Sequence, residues 1–121
     1  MSALMTETHK FVYRLATKQE WFIAQETGIA PTREVDERDG YMHLSTRDQA
    51  LETARRHFVG ATDLLALEIS LDEIATQVKF EMAPKRGEKF PHLYGALRTE
   101  HIRRAIRLEP TNSGFKFGGD A

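Results

Sequence analysis

The stretch that decides the fold is Asp-Gly-Tyr-Met-His-Leu-Ser-Thr, residues 39–46. Side chains on a β-strand alternate between its two faces. In a strand over this stretch, Met42 and Leu44 would therefore face a core. Three polar side chains would share the opposite face: Tyr41, His43 and Ser45. An aromatic ring, an imidazole and a hydroxyl on one strand face are typical of the edge of a binding pocket.

A helix is expected directly after this strand, because Thr46 and Gln49 have the spacing of a capping box. The first turn of a helix presents unpaired N–H groups and partial positive charge, which favour anionic groups. The strand end and the helix start together predict a pocket for a small anionic ligand. Its candidate binding residues are Asp39, Tyr41, His43, Ser45 and Thr46. The alternative, that His43 only hydrogen-bonds a neighbour and Ser45 only helps to cap the helix, stays open.

A second motif is Phe-Pro-His-Leu-Tyr-Gly, residues 90–95. If this stretch is extended, His92 and Tyr94 share a face, since they are two residues apart. Both side chains can donate or accept hydrogen bonds, and a tyrosine ring can also stack on a planar ligand. We expect them to line the wall of the pocket opposite His43. A rigid turn with Tyr94 in the core is the alternative.

Hydrophobic periodicity and turn residues predict an α+β domain rather than a doubly wound parallel sheet. About six strands and two helices are expected, with both helices in the N-terminal half. Residues 29–39 are predicted to form a surface loop whose carboxylates face solvent, with binding of ribose hydroxyls as the alternative. The chain should form a single domain over residues 1–121, with an ordered core at about 9–109 and a flexible tail over 110–121.

The composition excludes several classes of protein. The net charge is -1, from 17 basic and 18 acidic side chains, so duplex nucleic acid is not expected as a partner. There are no cysteines, which excludes disulfides, thiolate metal sites and thiol nucleophiles. No apolar run approaches the roughly 20 residues that span a bilayer, and residues 1–10 lack the layout of a secretory signal. We expect a cytoplasmic protein.

No metal site is predicted, because the five histidines show no ligand spacing such as H-E-x-x-H. The sequence also lacks G-x-G-x-x-G, a phosphate loop of the Walker type and a nucleophile elbow. The two motifs described above are therefore the main indications of function.

These two motifs, the first followed by Gln49 and the second by Ala-Leu, resemble those of a bacterial family known as domain of unknown function 952. The resemblance extends from Lys10 to Leu108, with the two dense motifs in the same order. On this resemblance the chain is identified as a member of the family. Membership implies no particular activity.

A more distant resemblance concerns Val-Tyr-Arg-Leu-Ala at 12–16, then Trp21 and Gly28, then Met-His-Leu-Ser at 42–45. The RNA 2'-phosphotransferases carry a Tyr-His-Gly-Thr strand end, a Trp and a Gly at similar intervals, and a His-Leu-Ser strand. They have the ADP-ribosyltransferase-like fold, which grips NAD in a cleft between two small sheets. The resemblance implies this fold here, with about six strands in two small packed sheets, and NAD as the candidate cofactor.

The same resemblance implies roles for individual residues. His43 takes the place of the pocket histidine, while Tyr13 and Arg14 lie on the strand that faces the nicotinamide ribose, with Arg14 paired to phosphate. Arg14 stands where the NAD-using relatives have histidine, so the nicotinamide clamp differs. Glu81 is a distant candidate for the catalytic glutamate of related transferases. The candidate catalytic residues are thus His43, Tyr94 and Arg14.

The leading prediction of function is a protein that binds a small nucleotide-like ligand, with NAD as the candidate and transfer of ADP-ribosyl or phosphoryl groups as the activity. The alternative from another class is a non-catalytic nucleotide-binding or regulatory module. A third is a structural domain that binds a partner. The lack of a clear base or nucleophile favours the module over the transferase. The clustering of polar groups on one strand face counts against the structural domain.

Overall fold

A computed structural model describes residues 9–121 of the chain. Within that range it contains eight strands, four α-helices and two short 3-10 turns. In chain order the elements are β1 (Phe11–Thr17), α1 (Lys18–Thr27), α2 (Glu34–Asp39), β2 (Met42–His43), β3 (Ser45–Thr46), α3 (Arg47–His57), β4 (Leu64–Ser70), α4 (Leu71–Ile74), β5 (Val78–Ala83), β6 (Glu88–Leu93), β7 (Ile102–Thr111) and β8 (Gly114–Asp120), with 3-10 turns at Ala75–Gln77 and Thr99–His101.

The strands form two antiparallel sheets. The large sheet has the order β3-β1-β4-β7-β8, and the small sheet has the order β2-β6-β5. β4 lies at the centre of the large sheet, and its residues 64–69 are all buried. This matches the nearly continuous apolar run of β4, which is typical of a strand covered on both faces. The predicted α+β class is confirmed.

The large sheet is covered on both faces. On one face, Tyr13, Leu64 and Ile106 pack with Ala50 and Ala54 of α3. The other face packs against α4 and the apolar face of the small sheet. The buried residues of this second layer are Val12, Ala24, Ala30, Met42, Leu44, Ile69, Leu71, Ile74, Leu93 and Leu97. Neighbouring residues of β1 therefore face different layers, because strand side chains alternate.

One extended segment, residues 42–46, belongs to both sheets. Its first two residues form β2 and pair with β6, whereas its last two form β3 and pair with β1. Leu44 separates the two pairs and is buried in the core. The segment places His43 directly opposite His92 on β6, which joins the two sequence motifs.

The predicted surface loop over residues 29–39 is wrong in its second half, where α2 forms. The carboxylate of Asp36 accepts the N–H of Arg33 at 2.7 Å at the helix start. Gly40 ends the helix with φ of 82°, a left-handed conformation that favours glycine. Asp36 is buried rather than solvated. The segment from 18 to 57 thus holds three helices where two were expected.

The predicted flexible tail over residues 110–121 is also wrong. β7 continues to Thr111, and β8 pairs with it along an antiparallel ladder. Phe115 and Phe117 of β8 pack against the core cluster beside α3, so burial of these aromatic rings holds the segment in place. The Gly and Asn content of the segment is typical of loops and obscured this strand.

Among residues 9–121, none of the helices combines the length and the apolar character that a membrane crossing requires. The prediction that residues 1–10 contain no secretory signal falls mostly on positions outside the described residues.

Candidate functional site

Two residues of the predicted polar strip, Tyr41 and His43, lie on one face of the small sheet. The apolar face of this sheet packs into the core through Met42, Leu93 and Phe80. We call the opposite face the polar face. Its side chains from the strands and their ends include Tyr41, His43, Lys79, Glu81, Phe90, His92 and Tyr94. Along it, His43, His92 and Lys79 lie side by side across the three strands.

Four rings of the polar face are in contact. Tyr41 stacks on His92, with centroids 3.9 Å apart and an angle of 17° between the planes. The Tyr41 ring also meets His43 at 4.7 Å and Tyr94 at 5.4 Å in tilted arrangements. Tyr41 is therefore the centre of the cluster. The structure brings His43, His92 and Tyr94 together on one sheet face, rather than on opposite walls of a pocket.

Glu81 accepts hydrogen bonds from two of these residues through one oxygen. The Tyr94 hydroxyl donates to Glu81 Oε1 at 2.6 Å, and His92 Nδ1 lies 2.8 Å from the same atom. The hydrogen bond to Glu81 raises the pKa of Tyr94 to about 12. Hydrogen bonds from Tyr94 and then His92 lower the pKa of Glu81. At neutral pH the carboxylate is charged and the phenol is protonated.

Arg14 and Asp36 form a buried ion pair beside β2. Nη2 of Arg14 lies 2.6 Å from Oδ2 of Asp36, Nη1 lies 3.2 Å from Oδ1, and the two side chains are 3% and 1% exposed. Burial would raise the pKa of Asp36, but hydrogen bonds from His43 and Arg14 outweigh it and hold this pKa well below its usual range. Arg14 is thus bound to an internal carboxylate, which corrects its predicted pairing with a ligand phosphate.

His43 is held between two carboxylates. Its Nδ1 lies 2.7 Å from Asp36 Oδ1, and its Nε2 lies 2.9 Å from Asp39 Oδ2. Carboxylate oxygens only accept hydrogen bonds. Both contacts are therefore hydrogen bonds only when the imidazole carries both protons. The arrangement holds His43 at the edge of the polar face, with its side chain 34% exposed.

The charges around His43 balance one another. Arg14 pairs with Asp36 at 2.6 Å, and Arg38 pairs with Asp39 at 2.9 Å. Within residues 9–121, no group of three or more His, Asp or Glu side chains is placed to hold a metal ion.

A cavity of about 230 Å³ lies beside Tyr41. It lies among α2, the start of β2 and the end of β6, and its lining residues are Thr32, Asp36, Glu37, Gly40, Tyr41, Met42, Leu93 and Gly95. Tyr41 belongs both to this cavity and to the ring cluster. The volume is below the roughly 300–1,000 Å³ of pockets for drug-sized ligands, so the cavity fits one ring or a group of similar size.

Three predicted binding residues do not reach the polar face. Tyr13 is buried on the α3 side of the large sheet, where its hydroxyl donates to a buried carboxylate. Ser45 is buried and donates to Thr53 of α3 at 3.1 Å. Thr46 is buried, and its N–H donates to the side chain of Gln49 at 3.0 Å. This capping bond agrees with the predicted helix start.

Asp36 is the residue of this site that sequence reasoning missed. Besides its bonds to Arg14 and His43, it accepts the N–H of Arg33 at the start of α2. The signal was its position, three residues after Arg33 and four before Gly40, as at the start and end of a short helix. Because arginine is not a typical N-cap residue, the sequence did not reveal this helix.

Comparison with known proteins defines the class to which the chain belongs. The family model described as "Protein of unknown function (DUF952)" matches residues 15–105. The chain belongs to this family, as its two motifs predicted. A search among curated proteins finds no match.

Solved structures of one relative are similar to this chain. The crystal structure of protein CC0527 from Caulobacter crescentus is 31% identical, with 87% of this chain and 91% of that chain covered and a TM-score of 0.79. A double mutant of that protein gives 30% identity, the same coverages and a TM-score of 0.78. Its solution NMR structure gives 31% identity, coverages of 88% and 90%, and a TM-score of 0.76. The relative therefore shares the fold over most of both chains.

Proposed function

We propose that the polar face and the adjoining cavity bind a small, ring-bearing ligand of the nucleotide class, with NAD as the candidate cofactor. The observation that carries this proposal is the cluster of rings around Tyr41, half-buried beside a cavity that fits one ring. Planar ligand rings stack on aromatic side chains. Tyr41, which belongs to both features, is the residue expected to contact the ligand ring.

A sugar has a hydrogen-bond partner next to these rings. Glu81 is charged at neutral pH, because Tyr94 and His92 lower its pKa. Their contacts use Oε1, and Oε2 has no hydrogen-bond partner among the described residues. Hydrogen bonds to a charged acceptor are stronger than neutral ones. A ligand with hydroxyl groups beside its ring therefore fits the site better than a purely apolar one.

We also propose that the scaffold is ADP-ribosyltransferase-like. The resembled fold grips NAD between two small sheets, and here a five-stranded and a three-stranded antiparallel sheet share the segment 42–46. His43 lies on this segment and connects through Asp36 to Arg14 on β1. This placement of His43 supports its predicted correspondence with the pocket histidine.

Two forms of this function differ in chemistry. The charged carboxylate of Glu81 beside Tyr94 favours a transferase of ADP-ribosyl or phosphoryl groups. The contacts of His43 favour a non-catalytic nucleotide-binding or regulatory module, because both ring nitrogens are engaged by carboxylates of the chain itself. We propose ligand binding as the function, and group transfer as the second candidate.

Calorimetric titration of NAD, ADP-ribose, AMP and adenosine tests the binding proposal. We expect Tyr41→Ala to weaken binding by roughly 5–150-fold, because stacking of one base contributes about 1–3 kcal/mol. Phe22→Ala is the matched control, since this ring is 60% exposed on α1 and lies outside the site; it should leave affinity unchanged. If none of the four compounds binds at low salt more tightly than millimolar, the proposed function is wrong.

Release of free nicotinamide separates the two forms of the function. The wild-type protein would be incubated with NAD and followed by NMR for several hours. Release that is lost in Glu81→Gln while NAD still binds supports the transferase. Binding without release supports the module.

A further inference from the structure

We propose that Arg86 forms an anion-binding subsite at the far end of the polar face and takes a phosphate group of the ligand. This inference rests on the proposed function and names the part of the ligand that this end of the face binds. Another cation is required for this role because Arg14 is buried against Asp36 and the predicted anion-binding residues Ser45 and Thr46 are themselves buried.

The guanidinium of Arg86 is held in place but is only partly satisfied. Its Nη1 donates to Thr53 Oγ1 at 3.0 Å, and its plane lies over the Phe90 ring, 4.5 Å from the centroid. Its Nη2 is buried and has no hydrogen-bond partner within residues 9–121. A buried N–H without an acceptor is unfavourable. An anionic oxygen bound next to this nitrogen would satisfy it.

The positive charge of Arg86 is not neutralised by the described part of the chain. Glu88 and Glu52 are the carboxylates that act on it, but neither forms an ion pair with it. Glu52 pairs with Arg56 at 2.8 Å, and Glu88 accepts a hydrogen bond from Gln49 at 3.0 Å. Burial, and then the charge of Arg56, lower the pKa of Arg86. This direction is expected for a buried cation that lacks a counter-ion.

His57 adds a second ionisable group to this end of the face. Burial lowers its pKa, and the charges of Arg86, Arg56 and His43 lower it further. His57 is thus within electrostatic reach of both His43 and Arg86. Because its pKa is lowered, His57 is uncharged at neutral pH, and Arg86 is the cation that would hold an anionic group at this end of the face.

The subsite lies in line with the ring cluster. Phe90, His92 and Tyr94 share one face of β6 because strand side chains alternate, and Arg86 covers Phe90. At 3.2–3.4 Å per residue, Phe90 lies about 7 Å from His92 and about 13 Å from Tyr94 along the strand. A ligand with its ring against Tyr41 would therefore extend its phosphate toward Arg86. A ring, a sugar and a phosphate in this order make a nucleotide.

The test compares adenosine with AMP, which differ by one phosphate, and adds inorganic pyrophosphate as an anion alone. Wild type, Arg86→Gln and Arg107→Gln would be titrated by calorimetry at low and high salt. We expect wild type to bind AMP at least tenfold more tightly than adenosine. Arg86→Gln should remove this difference without weakening adenosine. Arg107→Gln removes the same charge from an exposed position on β7, and this variant should still bind AMP more tightly than adenosine.

Equal affinities of wild type for adenosine and AMP would overturn the subsite and leave the proposed function standing. If neither compound binds, pyrophosphate decides the subsite, and the titrations of NAD and ADP-ribose decide the proposed function. Pyrophosphate binding that depends on Arg86 supports the subsite, and no pyrophosphate binding overturns it. If Arg86→Gln unfolds, Arg86→Lys is titrated in its place, and pyrophosphate binding to the wild type is followed by NMR. Shifts of the Thr53 and Phe90 amides upon pyrophosphate addition support the subsite, and their absence overturns it.

Discussion

At the scale of single residues, Asp36 holds three parts of the chain together. Its carboxylate accepts two hydrogen bonds from Arg14 on β1, two from His43 on β2 and one from the N–H of Arg33 at the start of α2. Forming a buried ion pair contributes little net stability, but removing one partner leaves an uncompensated charge in the interior. The site around His43 therefore depends on this carboxylate.

Asp36→Asn is expected to lower the free energy of unfolding by about 3–5 kcal/mol, because Arg14 would remain buried without its counter-ion. Urea denaturation at pH 7 measures the change. Asp39→Asn is the matched control, since Asp39 also contacts His43 but is much more exposed, and it should change stability little. Equal effects of the two substitutions would contradict this account of Asp36.

The same carboxylate should make the protein sensitive to acid. The pKa of Asp36 is lowered in the folded state, so its stabilisation is fully present above the unfolded value of about 3.9. It is lost as the pH falls through the folded value, because the unfolded chain then binds the proton more readily. Below about pH 4, wild type should lose stability with falling pH more steeply than Asp36→Asn. If wild type and Asp36→Asn lose stability equally with falling pH, a group other than Asp36 causes the loss.

Glu81→Gln should lower the pKa of Tyr94 from about 12 toward the ordinary tyrosine value of about 10. The reason is that the amide removes the negative charge that opposes ionisation of the phenol. NMR titration of tyrosine ring carbons gives the pKa of each tyrosine. Tyr13 is an internal control, because its carboxylate partner is Glu68. An unchanged Tyr94 would mean that Glu81 is not the cause of the shift.

The sequence predicted which polar side chains of each motif share a strand face, but not the network beneath them. Tyr41 and His43, like His92 and Tyr94, share a face because strand alternation is a local rule. The ion pair between Arg14 and Asp36 joins residues 22 positions apart, and no local pattern encodes such a partner. Predicted roles at the helix start failed for the same reason, since burial of Ser45 and Thr46 depends on how α3 packs.

At the scale of elements, β8 is an edge strand of the large sheet and packs on the face that α3 covers. Phe117 on this strand lies 6.3 Å from the Tyr13 ring and 4.2 Å from the guanidinium carbon of Arg47. The ring is partly buried within the core cluster of that layer. β8 is therefore held by side-chain packing as well as by its ladder with β7.

Phe117→Ala should lower the free energy of unfolding by about 1–3 kcal/mol, in line with the transfer of an aromatic side chain from a partly buried site to water. Urea denaturation again provides the measurement. Lys116→Ala is the control on the neighbouring, exposed position of the same strand and should have little effect. If both substitutions behave alike, β8 does not pack on the core in solution.

Elements with local signals were predictable, and those that depend on distant contacts were not. The helices that begin after Thr17 and Thr46 carry capping-box spacing, and Thr17 and Glu20 bond reciprocally as predicted. By contrast, α2 depends on Asp36 reaching β1 and β2, and β8 depends on its two phenylalanines reaching the core. Their sequences are typical of loops, because the contacts that order them lie elsewhere in the chain.

At the scale of the whole molecule, stability should be greatest in the middle of the large sheet. β4 is paired on both sides, with β1 and β7, and is buried from Leu64 to Ile69. Its amides should exchange with solvent only through global unfolding. The outward amides of the edge strands β5 and β8 should exchange faster through local opening. NMR-detected hydrogen exchange tests this, and equally slow exchange in β5 would contradict it.

The α+β class and the family follow from the sequence, whereas the division of the chain between two sheets does not. Nothing in Met42 to Thr46 indicates that the pairing partner changes at Leu44, because that choice depends on where β1 and β6 lie. The ADP-ribosyltransferase-like assignment stays a proposal, since it rests on a distant resemblance and on the arrangement of the two sheets.

The segment 42–46 has a consequence for how the length of this protein can vary. With Leu44 as the single residue between β2 and β3, one inserted or deleted position would reverse the facing of side chains in one of the sheets. Either His43 would turn from its carboxylates or Ser45 would turn from α3. Insertions and deletions should therefore be tolerated in exposed turns such as 59–62 but not in these five positions. The segment is accordingly a reliable anchor for aligning distant relatives of this chain.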